Sequence, residues 1–351
     1  MDLEKRLGLI LREPTVETLT EDSLRQLLET KKTPTAYDGF EPSGKVHLGS
    51  GILRAIKIKD LQDAGVKFKV LLADWHAWIN NKMGGDLELI KTVGDYFIEA
   101  WKACGVEKVD YVFASDLVQE PDYWKTVLNI AKATTIKRML RAGTIMGRSE
   151  GEMQYTGQLI YPAMQAADPF LLNADICQLG MDQRSVTILS REIGEKLGYW
   201  PPVCVHHHLL LGLKGPGKMV GTFDDKMSKS KENTAIFIHD TEDQITKKIN
   251  GAFCEPKDTK TNPILELWRF IILRRLDSWE IGRPAKFGGS LEISDYTELE
   301  TLYSQGKLHP ADLKPATASA INEILRPVRK HFDRPKPGAL LKKVQSAKVT
   351  R

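Results

Sequence analysis

The sequence predicts an α/β fold: a doubly wound parallel sheet with an inserted helical segment and a C-terminal all-helical domain. Three observations carry that expectation. Short apolar segments at Thr35–Phe40, Phe68–Ala73, Val109–Ala114, Ala174–Leu179 and Val203–Leu213 alternate with stretches whose apolar residues recur every three to four positions. That is the pattern of buried parallel strands joined by right-handed helical crossovers. The alternation is interrupted over 122–157 and stops near 234–240, beyond which helical spacing takes over.

Residues 1–34 read as a short helical prelude, with acids early in Thr20–Leu28 and leucines spaced for one face. Thr35–Phe40 is the first strand. Pro42, Ser43 and Gly44 supply turn chemistry, and apolar spacing at Leu48, Ile52 and Ile56 predicts a helix from near His47 to about Ala64, where Gly65 breaks the pattern. The N–H groups and positive dipole end of such a helix face whatever lies above the strand, and Gly49 lets a ligand approach the backbone. This is phosphate-site geometry. Alone, the segment is equally an ordinary strand–turn–helix connection.

The second strand ends at Asp74-Trp75-His76, and Leu87, Ile90, Val93, Phe97 and Trp101 predict an amphipathic helix over 86–104. In such sheets ligands sit beyond the carboxyl ends of the strands, where Tyr37 to Gly44 and Asp74 to His76 both lie. The insertion is rich in cations and carries more apolar residues (Trp124, Leu128, Ile136, Met139, Leu140, Ile145, Met146) than a thin excursion needs. A subunit interface and a plain intramolecular cover are both open readings. Leu159–Gln165 continues as a helix with Tyr161, Gln165 and Asp168 on one face. A helix starts again from about Asp182. The C-terminal part, 234–351, is expected to hold helices at Thr241–Ala252, Pro263–Leu276 and Ala316–Phe332, with Pro335 and Pro337 marking a frayed end.

With 351 residues, 42% hydrophobic and 27% charged, the chain has the composition of a globular protein with a substantial core. It contains no apolar run of about 18 residues and its start lacks a secretory pattern, so a cytoplasmic protein without a membrane span is expected. Cys104, Cys177, Cys204 and Cys254 are scattered without a C-x-x-C pair; Cys204 beside His206, His207 and His208 reads as strand-end residues rather than a metal site. Between Arg326 and Arg351 nine Lys or Arg face one acid, a local +8 inside a net charge of +4. This is either a solvated face or tail, or a surface for a phosphate backbone.

Far downstream of His47-Leu48-Gly49-Ser50 stands Lys226-Met227-Ser228-Lys229-Ser230, small serines alternating with cations after an acidic loop, suited to carrying charge to a triphosphate. H-L-G-S after the first strand and K-M-S-K-S later in the chain together resemble the paired signatures of class I aminoacyl-tRNA synthetases. The segments A-Y-D-G-F-E-P-S-G, L-L-A-D-W-H-A, Y-P-A-M-Q-A-A-D, G-M-D-Q-R, R-P-A-K-F-G-G and H-P-A-D-L-K narrow the resemblance to the archaeal and eukaryotic type of tyrosyl-tRNA synthetase, over nearly the whole chain.

The resemblance implies a Rossmann-like catalytic domain over 35–233, an anticodon-binding domain over 234–351 and a homodimer. It implies ATP with Mg2+, L-tyrosine and tRNA(Tyr) as reactants, with tyrosyl-adenylate formed first and the amino acid then passed to the tRNA. His47, Lys226 and Lys229 would bind the phosphates as charge redistributes, with Gly39, Gly49, Ser50, Met227 and Ser228 completing the ATP site. Tyr37, Tyr161, Gln165, Asp168 and Gln183 would line the tyrosine pocket, Asp168 with Tyr37 meeting the phenolic hydroxyl. For tRNA, Phe287, His309 and Asp312 match anticodon-reading positions and Arg184 an acceptor-end position. The chain departs from the pattern at Ser50, where a second histidine is usual, at Ser185, where a cation is common, and in a longer Gly217–Asp224 approach. The tryptophan enzyme shares the architecture and is the nearest rival; an inactive RNA-binding relative is the rival from another class.

Overall fold

The computed structural model describes residues 1–147, 150–215, 226–228 and 232–347. Helix α1 (Leu3–Leu11) starts at Asp2, whose carboxylate accepts the Lys5 N–H at 2.8 Å. It is followed by β1 (Thr15–Leu19) and α2 (Glu21–Thr30). The expectation of a purely helical prelude therefore misses a strand. β1 pairs antiparallel with the end of the sheet through Thr15–His207 and Leu19–Cys204.

The sheet continues with β2 (Thr35–Phe40), α3 (Ile52–Asp63), β3 (Lys67–Leu72), α4 (Asp74–Ile79), α5 (Leu87–Ala103) and β4 (Val109–Phe113). After α6 (Ala114–Leu117), the helices α7 (Pro121–Ala133) and α8 (Ile136–Gly143) form the insertion. Helix α9 (Thr156–Leu171), β5 (Ile176–Gly180), α10 (Arg184–Leu197) and β6 (Val203–His207) complete the layer. Strand order is β1-β6-β5-β2-β3-β4, with β2, β3, β4, β5 and β6 parallel. The chain turns one way from β2 and the other way to β5, so the crevice beyond the carboxyl ends of β2 and β5 is the topological switch point, where such sheets hold ligands.

Two expected boundaries move. Helix α3 begins at Ile52 rather than near His47, because His47 is pinned in an antiparallel bridge to Phe237 and the Leu48 N–H is taken by the Ile236 carbonyl at 2.9 Å. The chain then turns through Gly51, where a Cβ would stand 2.9 Å from Ile238 and 3.0 Å from Val46 side-chain atoms. Strand β6 ends at His207 instead of running to Leu213, since the His208 N–H bonds the Pro14 carbonyl and the Leu211 N–H bonds the Glu266 carboxylate, drawing the chain out of the sheet.

The insertion folds back on the sheet layer. Tyr123, Val127, Ile130, Met139 and Ala142 pack with Ala163, Met164, Phe170, Val186 and Leu189 of α9 and α10 in one apolar cluster, while Leu128 and Ile136 stay 63% and 72% exposed. Most of its apolar residues thus serve intramolecular cover, and two face outward.

The C-terminal region holds α11 (Glu242–Asn250), α12 (Pro263–Leu267), a π-turn over Trp268–Ile272 leading into α13 (Leu273–Arg275), α14 (Tyr296–Ser304), α15 (Pro310–Phe332) and α16 (Pro335–Ser346). Two corrections apply. A small antiparallel ribbon, β7 (Trp279–Ile281) with β8 (Leu291–Ile293), interrupts the helices. Pro335 and Pro337 open a further helix instead of fraying the last one, because a proline in the first turn gives up no hydrogen bond. The main core runs from Leu7 and Ile10 through Ile56, Phe97 and Trp101 to Ile321, Leu325 and Val344.

Candidate active site

The two short motifs meet. Residues 46–48 are stitched to 236–238 by the His47–Phe237 bridge and by the Ile238 N–H on the Val46 carbonyl at 3.1 Å. On the other flank, Lys226 bridges Leu211 and the Met227 N–H donates to the Leu210 carbonyl at 2.7 Å. Leu210 in turn lies against the Gly49 turn, within 3.9 Å of where a Cβ would stand there. Lys226, Met227 and residues 236–238 are therefore all held beside the β2–α3 junction, although they are far from it in sequence.

Within that junction His47 Nδ1 accepts the Gly49 N–H at 3.1 Å. Gly39 is half-buried at the end of β2. Ser50 is buried: its hydroxyl accepts the His47 N–H at 3.1 Å and donates to the His47 carbonyl at 3.3 Å, so the residue in place of the usual histidine ties its own turn together. Lys226 Nζ donates to Asp182 Oδ2 at 2.5 Å. Met227 is buried and Ser228 is half-buried beside it; Lys229 lies outside the described residues.

The expected face of α9 is present. Tyr161, Gln165 and Asp168 are all buried along it, with Tyr37 of β2 buried opposite. Gln165 Nε2 donates to Gln183 Oε1 at 2.9 Å, and the Tyr161 hydroxyl donates to Glu41 Oε1 at 2.9 Å. Glu41 also accepts from Asn80 Nδ2 at 2.8 Å and stands 3.7 Å from Lys82 Nζ.

Deeper in, Asp168 Oδ2 lies 3.7 Å from His76 Nε2, and Asp168 Oδ1, both His76 nitrogens and the Tyr123 hydroxyl are buried without a hydrogen-bond partner. Such orphans cost free energy in an apolar setting, so a cluster of them marks a place meant for a polar guest. Burial pushes the Asp168 carboxyl well above the usual carboxylate range and the His76 imidazole down to about 3. Burial likewise raises the Tyr37 and Tyr161 hydroxyls. The pocket floor is thus polar yet resists carrying charge, which suits a neutral hydroxyl.

Sequence reasoning puts Glu41 and His76 near strand ends where ligands sit but gives them no role, and it misses Tyr123 and Asp182. The signal for His76 and Glu41 was present, since both stand directly after the strands that carry the site.

The residues read for tRNA lie elsewhere. Phe287 sits on a 3-10 turn, Ala285–Phe287, between β7 and β8, 60% exposed, with Lys286 Nζ 5.0 Å above its ring. Arg283 ties this loop inward, donating to the Gly289 and Lys307 carbonyls at 2.9 Å, and so brings it near His309. His309 caps α15 by accepting the Ala311 N–H at 3.1 Å, and Asp312 follows in the first turn. Arg184 opens α10 with its Nε on both Glu17 oxygens at 2.9 and 2.8 Å, and Glu17 also meets His206 Nδ1 at 2.8 Å. The histidines near Cys204 are spent on such pairs, and among the described residues no group of three or more His, Cys, Asp or Glu could hold a metal ion. No helix among the described residues is long and apolar enough to cross a membrane.

Residues 29–326 match the family described as tRNA synthetases class I (W and Y). The chain is similar to the tyrosine--tRNA ligase of Thermococcus sibiricus, 45% identical over 98% of this chain and 99% of that protein. Among solved structures it is similar to tyrosyl-tRNA synthetase complexed with L-tyrosine from Pyrococcus horikoshii, with a TM-score of 0.92 and 40% identity over 99% of this chain and 100% of that one. It is also similar to tyrosyl-tRNA synthetase from Aeropyrum pernix, with a TM-score of 0.88 and 39% identity over 98% and 99%. The chain belongs to the class I tRNA synthetases of the tryptophan and tyrosine type.

Proposed function

We propose that the chain is a tyrosine–tRNA ligase. ATP and L-tyrosine form tyrosyl-adenylate and pyrophosphate, and the tyrosyl group then passes to the 3' end of tRNA(Tyr). The observation that carries this reading is a continuous polar line from Asp168 and His76 at the pocket floor, along Gln165 and Gln183, to Asp182 and Lys226 beside the β2–α3 junction. A tyrosine laid along it has its hydroxyl at the partnerless pair and its carboxylate toward the phosphate site.

The chemistry asks for positioning and charge stabilisation more than for proton transfer. In-line attack of the carboxylate on the α-phosphate builds charge on the oxygens around phosphorus. His47, Lys226 and Lys229 meet that charge, and Gly39, Gly49, Ser50, Met227 and Ser228 shape the space around the nucleotide. Mg2+ accompanying ATP would supply shielding of the phosphate charge, which His47, Lys226 and Lys229 complete from the protein side. Tyr161, Gln165 and Gln183 hold the ammonium, with the Glu41 carboxylate behind Tyr161 adding the opposite charge. Tyr37 and Asp168 read the hydroxyl.

Phe287, His309 and Asp312 take the anticodon, a ring stacking on a splayed base and polar groups bonding its edge. Arg184 serves the acceptor end, leaving Glu17 to do so. The 35–233 part acts as the catalytic domain and 234–351 as the anticodon-binding domain. Exposed Leu128 and Ile136 support a homodimer through the insertion, and the enzyme works in the cytoplasm.

The experiment is ATP–pyrophosphate exchange with each amino acid, followed by charging of tRNA. Exchange driven by tyrosine and charging of tRNA(Tyr) are expected. Exchange driven by tryptophan and not tyrosine would make it the tryptophan enzyme, and RNA binding without any charging would leave only the RNA-binding relative.

A further inference from the structure

Two charges not used above, Asp38 of β2 and Arg54 of α3, lie next to Asp182 at the carboxyl-end crevice. Asp38 of β2 is fully buried and holds Arg54 of α3 through an Oδ2–NH1 contact of 2.5 Å. The other oxygen, Asp38 Oδ1, has no partner. Arg54 NH1 also lies 3.4 Å from His207 Nδ1, which accepts from Gln178 Nε2 at 2.6 Å. Burial drives the His207 imidazole far below its ordinary value, so the ring is a neutral acceptor and adds no charge. The Arg54 guanidinium lies 5.0 Å from the centre of the Phe40 ring.

A buried ion pair is seldom a gain in stability over an apolar pair of the same size. This one is aimed at the site. Its far nitrogen, Arg54 NH2, lies 3.3 Å from where a Cβ on Gly180 would stand, and Asp182 Oδ1 lies 2.6 Å from the same point. Leu209 Cδ2 lies 2.9 Å from that point too, so the missing side chain at Gly180 lets the Arg54 cation and the Asp182 carboxylate draw close beside a leucine methyl group. Asp182 Oδ1 is buried and without a partner, while Oδ2 holds Lys226. Charges alternate along the row Asp38, Arg54, Asp182, Lys226, from the sheet interior to the lysine-serine motif.

This row has a consequence for nucleotide capture, and it rests on the reading that Lys226 binds phosphate. To reach a triphosphate, Lys226 must leave Asp182. A half-buried carboxylate stripped of its one ion-pair partner among the described residues would hold the lysine back. Arg54 is the cation already facing the unused oxygen. We infer that Arg54 is a positioning residue for amino-acid activation, replacing Lys226 as the counter-charge of Asp182 when the nucleotide takes that lysine. Asp38 fixes the guanidinium in place, and Gly180 puts no side chain of its own where Arg54, Asp182 and Leu209 converge.

The test measures ATP KM, the rate of adenylate formation and tyrosine Kd in four proteins: the parent, the paired variant Asp38→Asn with Arg54→Gln, Lys226→Ala, and all three changes together. Changing Asp38 with Arg54 removes both charges at once and leaves no buried ion alone, which guards against simple misfolding. The paired variant is expected to raise ATP KM about tenfold with tyrosine Kd within about twofold. In the Lys226→Ala background the same pair should change ATP KM by less than about twofold, because no lysine remains to be released. Arg54→Lys alone should lie between parent and paired variant. An unchanged ATP KM in the paired variant, or the same tenfold rise with Lys226 already gone, would overturn the inference. A Lys226→Ala protein that takes up ATP as the parent does would instead strike the underlying phosphate reading.

Discussion

The proposed amino-acid pocket and the proposed anticodon surface, made by the exposed turn between β7 and β8 and the start of α15, hold their groups in opposite ways. Around Asp168 every reading group is buried and several polar atoms are left without partners, so the pocket stands ready at a standing cost in stability. Around Phe287 the ring is 60% exposed and His309 and Asp312 are busy with the start of a helix. The difference follows from the guests. One hydroxyl group must be told from its absence, which takes buried groups that go unpaired when the wrong substrate enters. A base in a loop brings a whole aromatic face, which an exposed ring can stack on without prior desolvation.

That contrast can be broken at either end. The largest effect is expected at the junction between them and the nucleotide: Lys229→Ala and Lys226→Ala should each slow adenylate formation on the order of 10²-fold while tyrosine Kd stays within about twofold. Pre-steady-state formation of adenylate measures the first and equilibrium titration the second; equal losses in both would mean that these lysines shape the pocket instead. Next in size, Phe287→Ala should raise KM for tRNA(Tyr) about tenfold, from loss of stacking of roughly 1–3 kcal/mol, with tyrosine-driven pyrophosphate exchange untouched. Exchange falling in step with charging would place Phe287 in the fold and not in RNA recognition. Asp312→Asn should relax discrimination of the first anticodon base by a smaller factor of about three to ten, read by charging tRNA variants at that base.

The smallest effect concerns the unpartnered floor. His76 is held neutral, with its pKa near 3 in the folded chain against an ordinary 6.5, because burial disfavours the imidazolium. The unfolded chain therefore binds a proton that the native one refuses, and stability present above pH 6.5 is lost as pH falls from 6.5 toward 3. His76→Gln should flatten the fall of ligand-free Tm between pH 6.5 and 4 by roughly 5 °C relative to the parent. Parallel curves would show that the ring is protonated in the pocket.

Much of this arrangement was legible in the sequence where a period or a turn signal exists. Tyr161, Gln165 and Asp168 announced a shared face by spacing alone, and the β2 turn and the lysine-serine motif, read as a pair, do lie side by side. What sequence did not reveal depends on partners distant in the chain. β1 is five residues long, largely half-buried, and exists because β6 offers an edge. The true start of α3 is set by Phe237 and Ile236 across the site. His76, Asp182 and Arg54 acquire their meaning from atoms on other elements, and no spacing rule links a residue of α3 to one beyond β5. The helix α16 was hidden by its prolines, which read as a stop from one side and as a start from the other.

The central claim is that a buried, unsatisfied carboxyl beside β2 selects the amino acid that is joined to nucleotide at the neighbouring junction. Its most direct test is pyrophosphate exchange with tyrosine and with phenylalanine, run side by side on the parent and on Asp168→Asn. The account predicts strong preference for tyrosine in the parent and a loss of that preference on the order of 10²-fold in the variant, through a lower kcat/KM for tyrosine and little change for phenylalanine. A variant that still prefers tyrosine as the parent does, or a parent that activates both alike, would contradict it.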